Sequence, residues 1–168
     1  QHRISYTRSD RKSDELRQLC LETNVISKDS LGSSLIELGH TKILCQVTLN
    51  SSHPEAIQEE GVLECKVKFA PHIGIDASMQ RARTVTPLDS TVSIGKLNAE
   101  TTSKEANLSG ELHSALISAI QLEKYPKCAI QVHTTIIQDD GSVLSACISG
   151  ATLALMDARV DMLDLVTS

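Results

Sequence analysis

Gln138-Asp139-Asp140-Gly141-Ser142-Val143-Leu144-Ser145-Ala146-Cys147-Ile148 is the stretch that decides the fold, because it joins an extended run to a helical one. The extended run ends at the acidic pair, Gly141 permits a tight turn, and small residues that can begin a helix follow. Exposed amide groups at such a junction suit an anion. Val143 occupies the next position, where an arginine fork would complete anion capture. The layout therefore predicts a turn built like a phosphate-binding site that lacks the arginine needed to bind the anion. The absence of this charge indicates that the turn no longer supports catalysis.

Alternating apolar and polar residues before this turn predict strands. Residues 33 to 49 alternate on both sides of Gly39, which indicates a hairpin. Residues 62 to 70 place apolar side chains on one face and charged side chains on the other. Residues 128 to 138 alternate in the same way and lead into the turn. One face of the predicted sheet is therefore exposed to water.

Two stretches of helical periodicity are predicted to pack on the other face. Thr102-Ser103-Lys104-Glu105 is typical of a capping box, and apolar residues follow at helical spacing until Tyr125-Pro126 ends the helix. A second helix starts near Ala146 and carries small residues that let it approach the sheet: Gly150, Ala151, Ala154 and Ala158. Residues 160 to 166 predict the beginning of a further strand. Strands followed by helices on one face indicate an α+β layer architecture.

Two segments are predicted to lack extensive regular structure. The first thirty residues are polar and charged, which indicates a solvated N-terminal segment with at most a short turn of helix, or an arm that pairs with a neighbouring subunit. Residues 71 to 100 form a long loop that is either functional or poorly ordered. Arg81 and Arg83 in this loop are candidate RNA-binding residues that could pair with backbone phosphates, although cations in long loops are more often simply solvated.

Composition limits the classes of function. The 168 residues are 40% hydrophobic, which is enough to bury a core, so residues 1–168 are predicted to form a single domain. The net charge of -5 argues against a protein whose whole surface binds nucleic acid, although a local basic strip would survive that average. Aromatic residues make up only 2% of the chain, which argues against a base-stacking platform.

Reactive side chains offer few alternatives to the turn. The five cysteines form no CxxC pair and their odd number fits no closed disulfide framework, so free thiols in a reducing compartment are favoured. No metal site and no cofactor is predicted, because the six histidines lack metal-ligand spacing. His133 is predicted to be a packed or surface histidine rather than a general base, and Asp139 and Asp140 to make turn hydrogen bonds. Neither membrane spanning nor secretion is supported, since no long apolar run or signal-like segment occurs.

An ordered set of short motifs resembles the RNase PH family from about residue 8 to residue 166. The motifs are Ser9-Asp10-Arg11 with Glu15-Leu16-Arg17, Gly32-Ser33-Ser34 with Gly39-His40-Thr41-Lys42, and Asp140-Gly141-Ser142 with Ala154-Leu155-Met156-Asp157-Ala158. The resemblance implies an RNase PH-like (ribosomal protein S5 domain 2-like) sheet with helices packed on one face, and six such domains closed into a ring. It also implies that the domain is incomplete at its C-terminus, with the family's catalytic carboxylates beyond residue 168.

Active members of that family are phosphorolytic exoribonucleases that hold inorganic phosphate with a Gly-Thr-Arg turn. The aligned triplet here, Gly141, Ser142 and Val143, resembles a degenerate version, because valine supplies none of the donors of a guanidinium. Residues 153 to 166 look most like the catalytically silent ring subunits of the eukaryotic RNA exosome, particularly the mRNA-transport-regulator type. The resemblance thus implies no catalytic residues in this chain.

Such a subunit is expected to contact other RNase-PH-like ring subunits, S1-domain and KH-domain cap proteins, and RNA in the ring channel, with no membrane partner. Its expected location is the nucleus, nucleolus and cytoplasm, where it supports RNA processing and decay performed by other subunits. One alternative is a phosphate-dependent 3′-5′ exoribonuclease whose phosphate is held by Arg81 or Arg83. Another is an RNA-binding module outside any ring, which the scarcity of aromatic residues and of basic surface disfavours.

Overall fold

A computed structural model describes residues 15–28, 30–51, 60–71, 73 and 93–168. Its described part contains a five-stranded sheet with strand order β1-β2-β3-β5-β4. All neighbouring strands are antiparallel except β4 and β5, which are parallel. The strands are β1 (Leu19–Thr23), β2 (Gly32–Leu38), β3 (Thr41–Asn50), β4 (Val62–Phe69) and β5 (Ala129–Gln138), and the helices are α1 (Ser93–Ile117) and α2 (Val143–Asp157).

The hairpin predicted around Gly39 is confirmed as β2 and β3. Gly39 has a φ of 63°, a left-handed conformation that glycine adopts without steric cost. The side chains of Ile43, Cys45 and Val47 are completely buried, whereas the residues between them are only partly covered. This alternation confirms that one sheet face meets the core and the other meets solvent.

Both helices pack on the buried face of the sheet, as the α+β architecture predicts. Their side chains join those of the strands in one hydrophobic cluster, whose largest fully buried members are Ile36, Ile43, Leu112, Leu116, Ile130, Ile136 and Leu155. The cluster therefore ties both helices to the sheet by burial of aliphatic surface.

The predicted close approach of α2 is confirmed at Gly150. A Cβ atom placed on this residue would lie 2.8 Å from the Cys45 Sγ atom on β3. The buried Ser34 Oγ atom of β2 also donates a hydrogen bond of 2.7 Å to the Gly150 carbonyl. Since a sulfur atom needs more room than that, only glycine permits this helix-to-sheet distance.

The boundaries predicted for α1 are wrong at both ends. The helix begins at Ser93 rather than near Thr102, so residues 93–100 of the predicted long loop are helical. It ends at Ile117 instead of continuing to Tyr125. Residues beyond the end bond elsewhere, because the Gln121 amide donates to the Asp161 carbonyl and Ile120 forms a bridge with Met162. Tertiary contacts therefore override the helical periodicity.

The side chain of Glu105 bonds to a strand, a contact that the capping-box interpretation did not include. Its Oε1 atom accepts a hydrogen bond of 2.9 Å from the Phe69 amide. Ser109, one turn later in α1, accepts a hydrogen bond of 2.9 Å from the Val67 amide. Both amides belong to β4, which is an edge strand of the sheet. Helix α1 therefore satisfies donors along this edge with its side chains.

Near both ends of the chain the structure differs from the sequence prediction. Residues 19–23 form strand β1, which the sequence did not predict, although every residue of the strand is exposed as expected of a solvated segment. Residues 160–166 do not form a strand; only Met162 makes an isolated bridge. This segment contacts α2 instead, because Thr152 Oγ1 of that helix donates a hydrogen bond of 2.8 Å to the Val166 carbonyl.

Candidate functional site

The candidate site is the turn between β5 and α2, where the structure contains the tight strand-to-helix turn that the sequence predicts. Gly141 has a φ of 90° and Ser142 a φ of 57°, so two successive residues are in left-handed conformations. The Ala146 amide donates to the Ser142 carbonyl at 3.1 Å, which begins the helix. The chain thus reverses sharply from strand to helix at these two residues.

Two amide groups of this turn already donate to oxygens of the protein. The Gly141 amide donates to Asp139 Oδ1 at 2.9 Å, which confirms a turn hydrogen bond for that carboxylate. The Asp140 amide donates to Thr41 Oγ1 at 3.0 Å. Neither amide is therefore available to an anion while these bonds are in place, and the two carboxylates beside them repel negative charge.

Thr41 holds the turn against the hairpin. Its side chain is completely buried, and its Oγ1 atom also donates a hydrogen bond of 2.9 Å to the Gly141 carbonyl. The hydroxyl thus accepts a hydrogen bond from Asp140 and donates one to Gly141, so it serves as both acceptor and donor. Thr41 belongs to one of the family motifs, but the sequence does not predict this role, because no local pattern links residues 41 and 141.

A guanidinium reaches the turn from the other end of the chain. Arg17 Nη1 donates to the Gly141 carbonyl at 3.1 Å, and Nη2 donates to the Asp140 carbonyl at 3.2 Å. A cation therefore lies beside the turn in the folded protein, and it comes from residue 17 rather than from residue 143. The only sign of this contact in the sequence is that Arg17 belongs to a family motif, Glu15-Leu16-Arg17.

The triplet Gly141, Ser142 and Val143 lies at the start of α2. Val143 is the first residue of this helix, and its side chain is partly buried against the hydrophobic cluster. Ser142 is the N-cap residue, and its side chain makes no capping hydrogen bond. Position 143 therefore contributes apolar packing, whereas an arginine would contribute up to five donors.

The sequence offers three further residues for comparison with this turn: Arg81, Arg83 and His133. Arg81 and Arg83 lie outside the described residues. His133 is partly buried on the solvent-facing side of β5, where Lys66 is its paired residue on β4. Burial lowers the pKa of His133, and the positive charges of Lys66 and Lys68 lower that pKa further. This histidine is therefore favoured in its neutral form.

Other reactive groups give no second site in the described part of the chain. None of the five cysteines forms a disulfide. Burial raises the pKa of Cys45 to about 11 and the pKa values of Cys65 and Cys147 to about 12, so these thiols are poor nucleophiles. The described residues contain no cluster of His, Cys, Asp and Glu that could hold a metal ion. They also contain no helix long and apolar enough to cross a membrane.

Comparisons with known proteins place this geometry in a family. The chain is 30% identical over 160 residues to the exosome complex component ski6 of Schizosaccharomyces pombe, covering 93% of this chain and 58% of that protein. It is 31% identical over 161 residues to the exosome complex component Rrp41 of Methanopyrus kandleri, covering 94% of this chain and 59% of that protein. The chain thus spans less than two thirds of the length of these relatives.

A solved structure shares the fold at low sequence identity. The crystal structure of rice (Oryza sativa) Rrp46 superimposes with a TM-score of 0.67 at 18% identity, covering 93% of this chain and 63% of that chain. The 3′ exoribonuclease family, domain 1, matches residues 15–161, which include the Arg17 contact, the Thr41 hairpin and the β5–α2 turn. The chain therefore belongs to the RNase PH family.

Proposed function

We propose that this chain is a non-catalytic subunit of an exosome ring, which helps to form the RNA channel while other subunits process and degrade RNA. The observation that carries the absence of catalysis is Val143, whose apolar side chain packs against the core at the position where the family's arginine would bind phosphate. The observation that supports the exosome is that curated relatives matching 93% or more of this chain are exosome components.

The hydrogen bonds of the turn support the absence of phosphate binding. Orthophosphate needs several donors aimed at its oxygens, and a backbone turn offers its amides for this purpose. The amides of Asp140 and Gly141 instead donate to Thr41 and Asp139. An anion that used these two amides would have to replace both bonds and lie beside the exposed carboxylates of Asp139 and Asp140, and Val143 offers no charge to offset that cost.

One observation favours a second function, that of an active phosphorolytic 3′-5′ exoribonuclease. Arg17 brings a guanidinium to the turn, and three of its five N–H donors are not used by the two carbonyl contacts. We give this function second place because the two Nη atoms point to carbonyl oxygens of the turn, so the fork is already engaged. Arg81 and Arg83 stay predictions as RNA-binding or phosphate-binding residues.

The proposed partners are other RNase-PH-like ring subunits, S1-domain and KH-domain cap proteins, and RNA in the channel. The mRNA-transport-regulator type, and a location in the nucleus, nucleolus and cytoplasm, belong to the same proposal. Co-purification at native levels followed by mass identification tests it, and several distinct family members are expected together with the chain. Recovery of the chain without any family member would contradict membership of a ring.

A phosphorolysis assay tests the absence of catalysis. The purified chain is incubated with single-stranded RNA in phosphate buffer, and separately with nucleoside diphosphates, beside an RNase PH family member that carries arginine at the position of Val143. We expect neither release nor incorporation of nucleoside diphosphates by this chain. Phosphate-dependent release that disappears in Arg17→Ala would establish the second function through Arg17, and loss in Arg81→Ala or Arg83→Ala would establish it through the loop.

A further inference from the structure

Three segments that are far apart in sequence meet at one end of the sheet: the residues just before β1, the turn of the β2–β3 hairpin, and the β5–α2 turn. The Gln18 carbonyl accepts a hydrogen bond of 2.8 Å from the Gly39 amide, which joins the first segment to the second. Thr41 Oγ1 joins the second segment to the third through its bonds to residues 140 and 141. Arg17 joins the third segment to the first. Each segment is therefore bonded directly to the other two.

The Arg17 side chain contacts this junction along its whole length. A Cβ atom placed on Gly39 would lie 3.6 Å from the Arg17 Cδ atom and 3.9 Å from its Cγ atom. The aliphatic stem therefore passes over the hairpin turn, where glycine leaves room for it, before the guanidinium reaches residues 140 and 141. Arginine stems commonly cover neighbouring surface in this way while the charged end stays near water. One side chain thus contacts both turns.

The two acceptors at the end of this side chain specify arginine. The Gly141 carbonyl takes a hydrogen bond of 3.1 Å from Nη1, and the Asp140 carbonyl takes one of 3.2 Å from Nη2. A guanidinium is planar and holds its donors in a fixed fork, so two neighbouring acceptors can be bonded at once. A lysine would keep the positive charge but would donate from a single nitrogen atom. The contact therefore distinguishes arginine from lysine at position 17.

Strand β1 is attached to the sheet between this junction and Asn24. Residues 19–23 pair with β2, and beyond them the Asn24 amide donates a hydrogen bond of 2.8 Å to the Ser33 carbonyl. Asn24 has a φ of 56°, a left-handed conformation that asparagine tolerates better than alanine does. Arg17 lies only two residues before the strand, so separation of β1 from β2 would carry its guanidinium away from the β5–α2 turn. The attachment of β1 and the contact at the turn are therefore linked through Arg17.

We propose that Arg17 is a latch that couples β1 to the β5–α2 turn, so that detachment of the strand and opening of the turn occur as one event. The Gly141 carbonyl accepts from both Arg17 and Thr41, and bonds that share a partner in one network are not energetically independent. Segments coupled in this way open as one cooperative unit. A change in the attachment of β1 therefore alters the turn. The proposal concerns the conformation of the turn and holds whether or not the turn binds phosphate.

Amide hydrogen exchange in the intact protein tests the coupling from a distance. Asn24→Ala loosens the far end of β1, and we expect the Asp140 amide to exchange about fivefold faster than in the parent. The same change made together with Arg17→Gln should leave Asp140 exchange as it is in Arg17→Gln alone. Asn24→Gly is the matched control, because glycine adopts this φ freely. Faster exchange at residue 24 with no change at Asp140, or equal acceleration of Asp140 without Arg17, would overturn the proposal.

Arg17→Lys tests the need for the fork and keeps the proposal testable if Asn24→Ala does not fold. Loss of one of the two bonds should accelerate exchange of the Gly39 and Asp140 amides by the same factor, about fivefold. The Gly61 amide, which donates to the Leu122 carbonyl outside the junction, should exchange as in the parent. Full protection of both junction amides in Arg17→Lys would show that a positive charge suffices. That result, or acceleration of only one of the two amides, would contradict a latch that requires arginine.

Discussion

Replacement of Thr41 by valine tests whether one hydroxyl holds the β5–α2 turn on the hairpin. The change keeps the shape of a completely buried side chain but removes the hydrogen bond from the Asp140 amide at 3.0 Å and the bond to the Gly141 carbonyl at 2.9 Å. The Gly141 carbonyl keeps its contact with Arg17, whereas the Asp140 amide loses its acceptor, Thr41 Oγ1. Two lost bonds at about 1 kcal/mol each predict a loss of about 2 kcal/mol in the free energy of unfolding.

Urea unfolding followed by circular dichroism measures this loss. With a slope of about 2 kcal/mol per molar urea, the midpoint of Thr41→Val should fall by about 1 M. Thr41→Ser is the matched control, because it keeps the hydroxyl and loses one methyl group worth about 1 kcal/mol. Its midpoint should therefore fall by about half as much.

Amide hydrogen exchange locates the effect. The Asp140 amide should exchange faster in Thr41→Val than in Thr41→Ser under conditions where both variants are folded, because only the valine variant lacks its acceptor. A valine variant as stable as the serine variant, with Asp140 exchange unchanged, would refute the reasoning that Thr41 holds the turn.

Two further predictions concern packing and pH. Gly150→Ala should lower the free energy of unfolding by about 1–3 kcal/mol in a urea titration, because its Cβ atom would lie 2.8 Å from Cys45 Sγ. Gly110→Ala is the matched control, because a Cβ atom there would meet no described atom within 4 Å outside its own stretch of helix, and it should gain up to about 1 kcal/mol from helix propensity. Equal effects of the two changes would contradict this packing argument. The folded pKa of His133 lies below its ordinary value of 6.5, so the stability due to neutral His133 is complete above pH 6.5 and is lost as pH falls through the folded pKa. His133→Gln should therefore reduce the fall in stability below pH 6.5, and an unchanged pH profile would exclude this contribution.

The periodicity of the sequence is sufficient to predict an element of secondary structure where its apolar pattern matches the burial of its side chains. Strands β2 to β5 were predicted because their alternation reflects one buried and one solvated face. The small residues around Gly150 likewise revealed a helix that lies close to a sheet. Strand β1 was missed because its five exposed residues give too short a pattern among charged neighbours.

Helix ends were less predictable because side chains there take distant partners. Glu105 resembles half of a capping box, but its carboxylate binds the Phe69 amide of an edge strand. Beyond Ile117, residues that continue the apolar pattern bond to the segment after α2 instead. Contacts of this kind have no signature within the window of residues that defines a helix.

The sequence by itself determined the α+β class, the family, the tight turn at Gly141 and the absence of an arginine at position 143, because each depends on residue types at short spacing. Only the tertiary structure decided what surrounds that turn. Folding brings Arg17 and Thr41 to the carbonyl and amide groups of residues 140 and 141 across about one hundred or more positions of chain. Hydrogen bonds depend on distances between atoms in space, and residues so far apart in sequence acquire those distances only when the sheet has assembled.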